Sequence, residues 1–206
     1  LGLFITFEGG EGSGKSTQAR LLHKRLERNH VQAILTREPG GTSLGDEIRR
    51  LLKKKRESAV APEAELFLFA ASRAQLVADL IRPALDRNAV IICDRFTYST
   101  VVYQGFGRGL DIPSVNTVNR MATGGIEPDL AILMDMPPEQ GLGRKPNSND
   151  RFESESLSFH RRVRDGYLEM ASAEPNRWLL VDASLTRSQI ATIVWDRVSS
   201  LLRLPG

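Results

Sequence analysis

The chain has 206 residues, 41% hydrophobic and 26% charged, which suits one domain with a continuous core. Its 28 Lys+Arg against 25 Asp+Glu leave a formal net charge of +3, too small an excess for a nucleic-acid binder. One cysteine, Cys93, excludes an internal disulfide, no apolar run is long enough to span a bilayer, and the start lacks a basic signal segment. A cytoplasmic protein with neither a membrane nor a nucleic acid as partner is expected.

Five short apolar runs predict buried strands: Leu3–Phe7, Val31–Leu35, Val90–Cys93, Leu130–Met134 and Trp178–Val181. Most are continuous rather than alternating, the pattern of parallel strands covered on both faces. Between them, Lys15–Arg28 sets Ala19, Leu22 and Leu26 on one helical stripe, and Gln189–Leu202 does the same with Ile190, Ile193, Val194, Val198 and Leu201. Strands alternating with helices imply right-handed βαβ units in an α/β sandwich. Residues 62–87 predict a long helical region between the second and third strands. The stretch from Gly141 to Asp150 is polar and rich in turn formers, which predicts a mobile surface loop.

The first strand ends in Glu8 and is followed by Gly9-Gly10-Glu11-Gly12-Ser13-Gly14-Lys15-Ser16, a match to G-x-x-x-x-G-K-[ST]. At about 7% glycine such a match arises by chance in on the order of one chain in a hundred of this length. Its setting between a strand and a helix removes most of that chance. Glycines let successive N–H groups turn inward onto phosphate oxygens, and the helix behind adds its positive end. Lys15 is placed to neutralise the β/γ-phosphates of ATP, and the Ser16 hydroxyl to ligate Mg²⁺. The chain contains neither the N-K-x-D and D-x-x-G strings of GTPases nor an L-S-G-G-Q-like segment of ABC-type ATPases. Small-molecule kinases and scattered ATP-binding modules remain.

Further strings follow in order: Arg37-Glu38-Pro39-Gly40-Gly41-Thr42; Phe69 with Arg73 four residues on, hence on one helical face; Asp94-Arg95-Phe96 leading to Ser99; Tyr103-Gln104-Gly105; and Arg144 and Lys145 ahead of Asp150-Arg151-Phe152-Glu153. Taken together over nearly the whole chain, these resemble the thymidylate kinases. The resemblance implies an α/β, nucleoside-monophosphate-kinase-like P-loop domain over residues 1–206, with five parallel strands sandwiched by helices and a short mobile lid at about residues 141–152. It also implies ATP and dTMP as substrates, Mg²⁺ with the ATP, and a homodimer.

Carried over by position, the ATP site comprises Gly9, Gly10, Glu11, Gly12, Ser13, Gly14, Lys15, Ser16 and Thr17. Phe69 would stack on thymine and Arg73 would donate to its O4 edge, an arrangement that penalises the cytosine amino group. Arg95 would clamp the acceptor phosphate, with Asp94 orienting it or serving the Mg²⁺ shell through water. Glu11 matches a contact to the deoxyribose 3′-hydroxyl, Tyr103 the ring that occupies the place of a 2′-hydroxyl, and Gln104 a further base-edge contact. Glu38 and Ser99 join the dTMP set, although a structural role is as open for them as for Glu8 and Arg37 at the strand ends.

The P-loop carries no arginine, which matches the bacterial type with its catalytic arginine in the lid. That lid offers Arg144, Lys145 and Arg151; Arg144 is assigned to transfer, and Arg151 to holding the lid or contacting adenine. Lys53-Lys54-Lys55-Arg56 follows the helical segment Leu44–Leu52, where a helix end favours cations without any nucleic acid. Two other readings stay open: a kinase for another nucleotide or deoxynucleoside, and a nucleotide-binding regulatory module.

Overall fold

The computed structural model describes residues 2–56, 58–144 and 150–204. Five strands, β1 (Leu3–Glu8), β2 (Ala33–Arg37), β3 (Val90–Asp94), β4 (Leu130–Asp135) and β5 (Trp178–Asp182), form one sheet in the order β2-β3-β1-β4-β5. Every pairing is parallel. The expected strands are all present. β2 is displaced, beginning two residues later than the apolar run suggested, because Val31 belongs to the turn that closes the preceding helix. The strands' carboxyl ends carry Glu8, Arg37, Asp94, Asp135 and Asp182, so charge gathers along one edge, where ligands bind in open α/β sheets.

Side chains alternate between the two faces of the sheet. Ile5 and Phe7 pack under Leu22 and Leu26 of α1 (Lys15–Arg28) and under Val194, Trp195 and Val198 of α9 (Arg187–Leu202). Phe4, Ile91 and Cys93 face the opposite layer with Leu76, Ile81 and Phe96. On that same layer, Ala131 and Leu133 meet Phe159, Val163 and Tyr167 of α8 (Leu157–Ala173). Trp178 and Trp195 are both buried core residues.

Between β2 and β3 run α2 (Ser43–Lys53), α3 (Pro62–Leu76) and α4 (Arg82–Asp86). The predicted helical region 62–87 is present, but it widens to π-type turns over Val77–Ile81. Pro83 lies just beyond that widening. It has no N–H and its ring would strike the carbonyl four residues back, so the wider turn relieves both problems. A second π-type stretch, Val101–Gly107, continues α5 (Thr97–Thr100) and carries Tyr103 and Gln104; α6 (Ile112–Thr123) follows. Gly141, Leu142 and Gly143 depart from expectation: they are not loop but the last residues of a short helix, α7 (Pro138–Gly143). Pro138 supplies a favourable first-turn residue, and the turn-forming glycines are there for a packing reason given below. Lys145 lies outside the described residues. Among the described residues, no helix is long and apolar enough to cross a membrane.

Candidate active site

β1 ends at Glu8, and the chain curls through Gly9–Gly14 into α1. That helix has no side-chain N-cap and no acidic residue in its first turn. Its leading N–H groups and positive end are therefore left to an anion. Lys15 folds over the loop, donating to the Gly10 carbonyl at 2.5 Å and to Ser13 Oγ at 3.2 Å. The loop is pressed against α7. A Cβ on Gly12, which has φ +69°, would lie 1.9 Å from the Gly141 oxygen, and a Cβ on Gly141 would lie 2.1 Å from the Glu11 oxygen. Two facing glycines let the end of α7 rest on the Gly9–Gly14 loop. Gly141→Ala must push the two backbones apart. The expected result is a fall in kcat/KM for ATP of about 10²-fold, the cost of a misplacement near 1 Å. Gly143→Ala, with open space around its Cβ, is the matched control and should change little.

Next to the cradle, the Ser16 hydroxyl is hydrogen-bonded to Asp94 at the end of β3. Arg95 follows in a left-handed conformation, φ +74°, which turns its side chain back across β1. Its guanidinium donates to the Gly9 carbonyl (3.0 Å), Ser99 Oγ (3.2 Å), Tyr167 Oη (3.3 Å), Glu11 Oε1 (2.6 Å) and Tyr103 Oη (3.1 Å). Glu11 also accepts from Tyr103 Oη at 2.8 Å. Beneath them Glu8 is fully buried and accepts from the Phe96 N–H, Ser99 Oγ and Tyr167 Oη. Burial raises its carboxyl pKa, against the pull of those hydrogen bonds and of Arg95. Burial likewise raises the pKa of Tyr103 well above the usual phenol value, keeping it a neutral donor. Ser99 and Glu8 therefore serve here to aim Arg95. Tyr167 was not foreseen: in the sequence it belongs to the apolar stripe Phe159, Val163, Tyr167, and only folding brings its hydroxyl to Glu8.

At the far end of the cavity, Arg73 is 1% exposed. It donates to both oxygens of the equally buried Glu38 (closest 2.6 Å), to the Phe96 carbonyl, to Thr100 Oγ1 and to Asn119 Oδ1. One Nη1 hydrogen is left without an acceptor among the described residues. Burial lifts Glu38 from its usual 4.5 to about 7 in spite of Arg73. Phe69, half-buried, sits with its ring centroid 5.7 Å from that of Phe152. Gln104 donates from Nε2 to the fully buried Glu65 at 2.8 Å.

The expected lid region is pinned at both of its described ends. Arg144 ends α7 and reaches the Gly12 and Ala183 carbonyls at 3.4 Å. Arg151 pairs with Glu65 at 2.6 Å and donates to the Leu52 carbonyl, while Asp150 pairs with Lys53 at 2.6 Å. Arg151 is thus tied to α3 and to the end of α2. Arg56 donates to the Leu51 and Lys54 carbonyls, so part of the basic run Lys53–Arg56 serves the end of α2.

One cavity of about 900 Å³ joins these parts. Its wall includes Glu11, Gly12, Ser13, Gly14, Lys15, Ser16 and Thr17 at one end, with Arg144 beside Gly12; Asp94, Arg95 and Ser99 between; and Glu38, Phe69, Arg73, Tyr103 and Gln104 at the other. Gly9 and Gly10 are not on that wall, and their carbonyls instead anchor Arg95 and Lys15. Arg49 and Thr100 also line it and were not foreseen, since isolated polar residues outside any motif carry no positional signal; Lys53 and Asp150 line it too, although the basic run and the Asp150–Glu153 string gave them no role in a site.

A protein-family model described as thymidylate kinase matches residues 7–192. The chain belongs to the thymidylate kinase family. It is 52% identical over 206 residues to a thymidylate kinase of Dehalococcoides mccartyi, covering 100% of each chain. A thymidylate kinase of Trichlorobacter lovleyi is 48% identical over 211 residues, with 98% and 100% covered. Among solved structures, the thymidylate kinase from Ehrlichia chaffeensis superposes with a TM-score of 0.77 at 31% identity, covering 97% of this chain and 98% of that one. The five-stranded parallel sheet between helices is thus the family's P-loop kinase fold.

Proposed function

We propose that the protein transfers the γ-phosphate of ATP to dTMP, giving dTDP and ADP for dTTP synthesis. Family membership over the full chain supports this activity. The single structural observation that carries it is the continuity of one cavity from the P-loop, past Arg95, to the paired Phe69 and Arg73. An oxygen of the acceptor phosphate attacks the γ-phosphorus as the bond to the bridging oxygen of ADP breaks, in line and with no covalent protein intermediate. The acceptor is already an anionic nucleophile, so the protein's work is alignment and relief of repulsion between two polyanions. Lys15 and the first turn of α1 hold the donor phosphates, Arg95 holds the acceptor phosphate, and Arg144, the arginine of the described lid residues nearest the P-loop, serves the transferring group. Phe69 supplies a flat apolar surface for the base, Arg73 its remaining Nη1 donor, Glu11 an acceptor for the 3′-hydroxyl, and Tyr103 fills the space of a 2′-hydroxyl. Glu38 acts on dTMP only through Arg73, and Ser99 through Arg95.

Mg²⁺ fits the residues present. Among the described residues no cluster of three His, Cys, Asp or Glu could hold a metal by itself. The touching hydroxyl of Ser16 and carboxylate of Asp94 instead form a two-oxygen site, of the kind that holds Mg²⁺ jointly with nucleotide phosphates and water. The ion would neutralise charge on the β- and γ-phosphate oxygens. Closure of a lid over residues 141–152 would keep water from competing as acceptor. Cytoplasmic placement accords with the need for ATP and with a lone buried thiol at Cys93.

A homodimer is supported by the outer face of α3 and the turn after it. Ala64, Phe67, Ala71, Ala74 and Ala78 are exposed at alternating spacings of three and four residues, with Phe67 59% exposed. α3 packs between α2 and α6, which add exposed Leu44, Leu51 and Met121. A narrow apolar stripe with small residues suits self-pairing about a twofold axis, where two helices approach closely. Phe67→Glu should convert a dimer to a monomer in sedimentation, and a monomeric wild type would overturn the assignment.

The test of function is a coupled ADP-release assay with dTMP, dUMP, dCMP, dGMP and thymidine as acceptors. Preference for dTMP is the expected result. Preference for thymidine or another monophosphate would replace the substrate, and ATP hydrolysis with no transfer to any acceptor would replace the class.

A further inference from the structure

Gln104 is 1% exposed and lines the base end of the cavity beside Arg73 and Phe69. A carboxamide can present either its oxygen or its NH₂, and the two differ only in their hydrogen-bond partners. Here the partner decides. Glu65 is fully buried and accepts from Gln104 Nε2 (2.8 Å), Arg108 Nε and Nη2 (3.1 and 3.2 Å) and Arg151 Nη1 (2.6 Å). Both of its oxygens already accept from guanidiniums, which can only donate, so Gln104 turns its NH₂ toward it rather than its oxygen. Gln104 Oε1 takes no hydrogen bond from the described residues and is left to the cavity.

We infer that Glu65 is a specificity-determining positioning residue: it locks the Gln104 amide with its oxygen toward the acceptor base, so that the site accepts an N3–H and rejects an unprotonated N3. The inference rests on the dTMP reading of the cavity and deepens it. Thymine and uracil present an acceptor at O4 and a donor at N3, whereas cytosine presents a donor at C4 and an acceptor at N3. Arg73 Nη1 tests the first position with a donor, and Gln104 Oε1 tests the second with an acceptor. Cytosine is therefore opposed twice, and the second opposition originates in a residue that does not itself line the cavity.

Glu65→Gln tests this directly. Arg151 Nη1 and Arg108 Nη2 both donate to Oε2, so the new amide's oxygen takes that place, and its NH₂ falls at the Oε1 position, facing Gln104 and Arg108 Nε. Gln104 then turns over and shows NH₂ to the base. Expected are kcat/KM values for dTMP and dUMP lowered in parallel by about tenfold or more, as for a lost and partly opposed hydrogen bond. The KM for ATP should hold, and dCMP should lose nothing or improve, read as competitive inhibition where turnover is too slow. An equal loss for all three pyrimidine nucleotides, or no change for any, would overturn the inference. Should Glu65→Gln fail to fold, Gln104→Ala gives the second reading: dTMP and dUMP weaken while dCMP does not, and uniform weakening again counts against it. A wild type that ignores dTMP would sink the substrate reading itself, whatever the variants do.

Discussion

Lys15→Ala is expected to lower kcat by about 10²–10³-fold while the melting temperature stays near that of the wild type. The magnitude follows from removing one preorganised charge from the point where negative charge builds up as the phosphoryl group transfers. The fold should tolerate the change because the lysine donates to a loop carbonyl and to a hydroxyl on the wall of the cavity. KM for dTMP should change little, since Arg95, Phe69 and Arg73 lie along the other part of the cavity. Steady-state kinetics paired with a thermal melt measures both. Unaltered turnover would remove Lys15 from the mechanism.

Arg73→Ala should damage both recognition and stability, and the two losses can be separated by pH. The substitution strands the Glu38 carboxylate in a buried site, and removing one partner of a buried ion pair costs about 3–5 kcal/mol. For a chain of this size that is a fall in Tm on the order of 10 °C. Burial already lifts Glu38 to about 7 from its usual 4.5, with Arg73 pulling it down. A carboxyl whose folded pKa exceeds its unfolded one favours the folded state below the unfolded value, and that stability drains away as pH rises through the folded value. Without Arg73 the folded pKa climbs further, so the drain continues to higher pH than in the wild type. The Tm deficit should therefore be small near about pH 5 and wider near about pH 8. Adding Glu38→Gln to Arg73→Ala removes the stranded charge and should restore part of the stability, but not the use of dTMP. A deficit that does not vary with pH would argue that Glu38 is already neutral beside Arg73. Full recovery of dTMP turnover in the double variant would argue that Arg73 never touches the base.

Much of this protein was legible before folding. Continuous apolar runs identified all five strands, because a strand covered on both faces has no polar side to present. The P-loop was legible because its chemistry is carried by backbone and by adjacent residues, so its spacing survives in the linear chain. Phe69 with Arg73, and Asp94 with Arg95, could be singled out for the same reason: each pair stands on one helix face or at one strand end, and all four line the one cavity. The expected loop at Gly141–Gly143 failed on the same logic, since glycine marks a turn and a close backbone approach alike, and only the contact with Gly12 distinguishes them.

What the folded arrangement alone decides is which polar groups meet across distant segments. Glu8, Ser99 and Tyr167 come from a strand, a short helix and α8, yet they converge to aim Arg95. Glu65 reads in sequence as an ordinary first-turn acid of α3, and its grip on Gln104, Arg108 and Arg151 exists only once three segments pack together. Hydrophobic patterning is a property of each segment's own periodicity, so it can be read from one segment at a time. A buried hydrogen bond needs a donor and an acceptor from two places, and local sequence holds no record of which partner will be there.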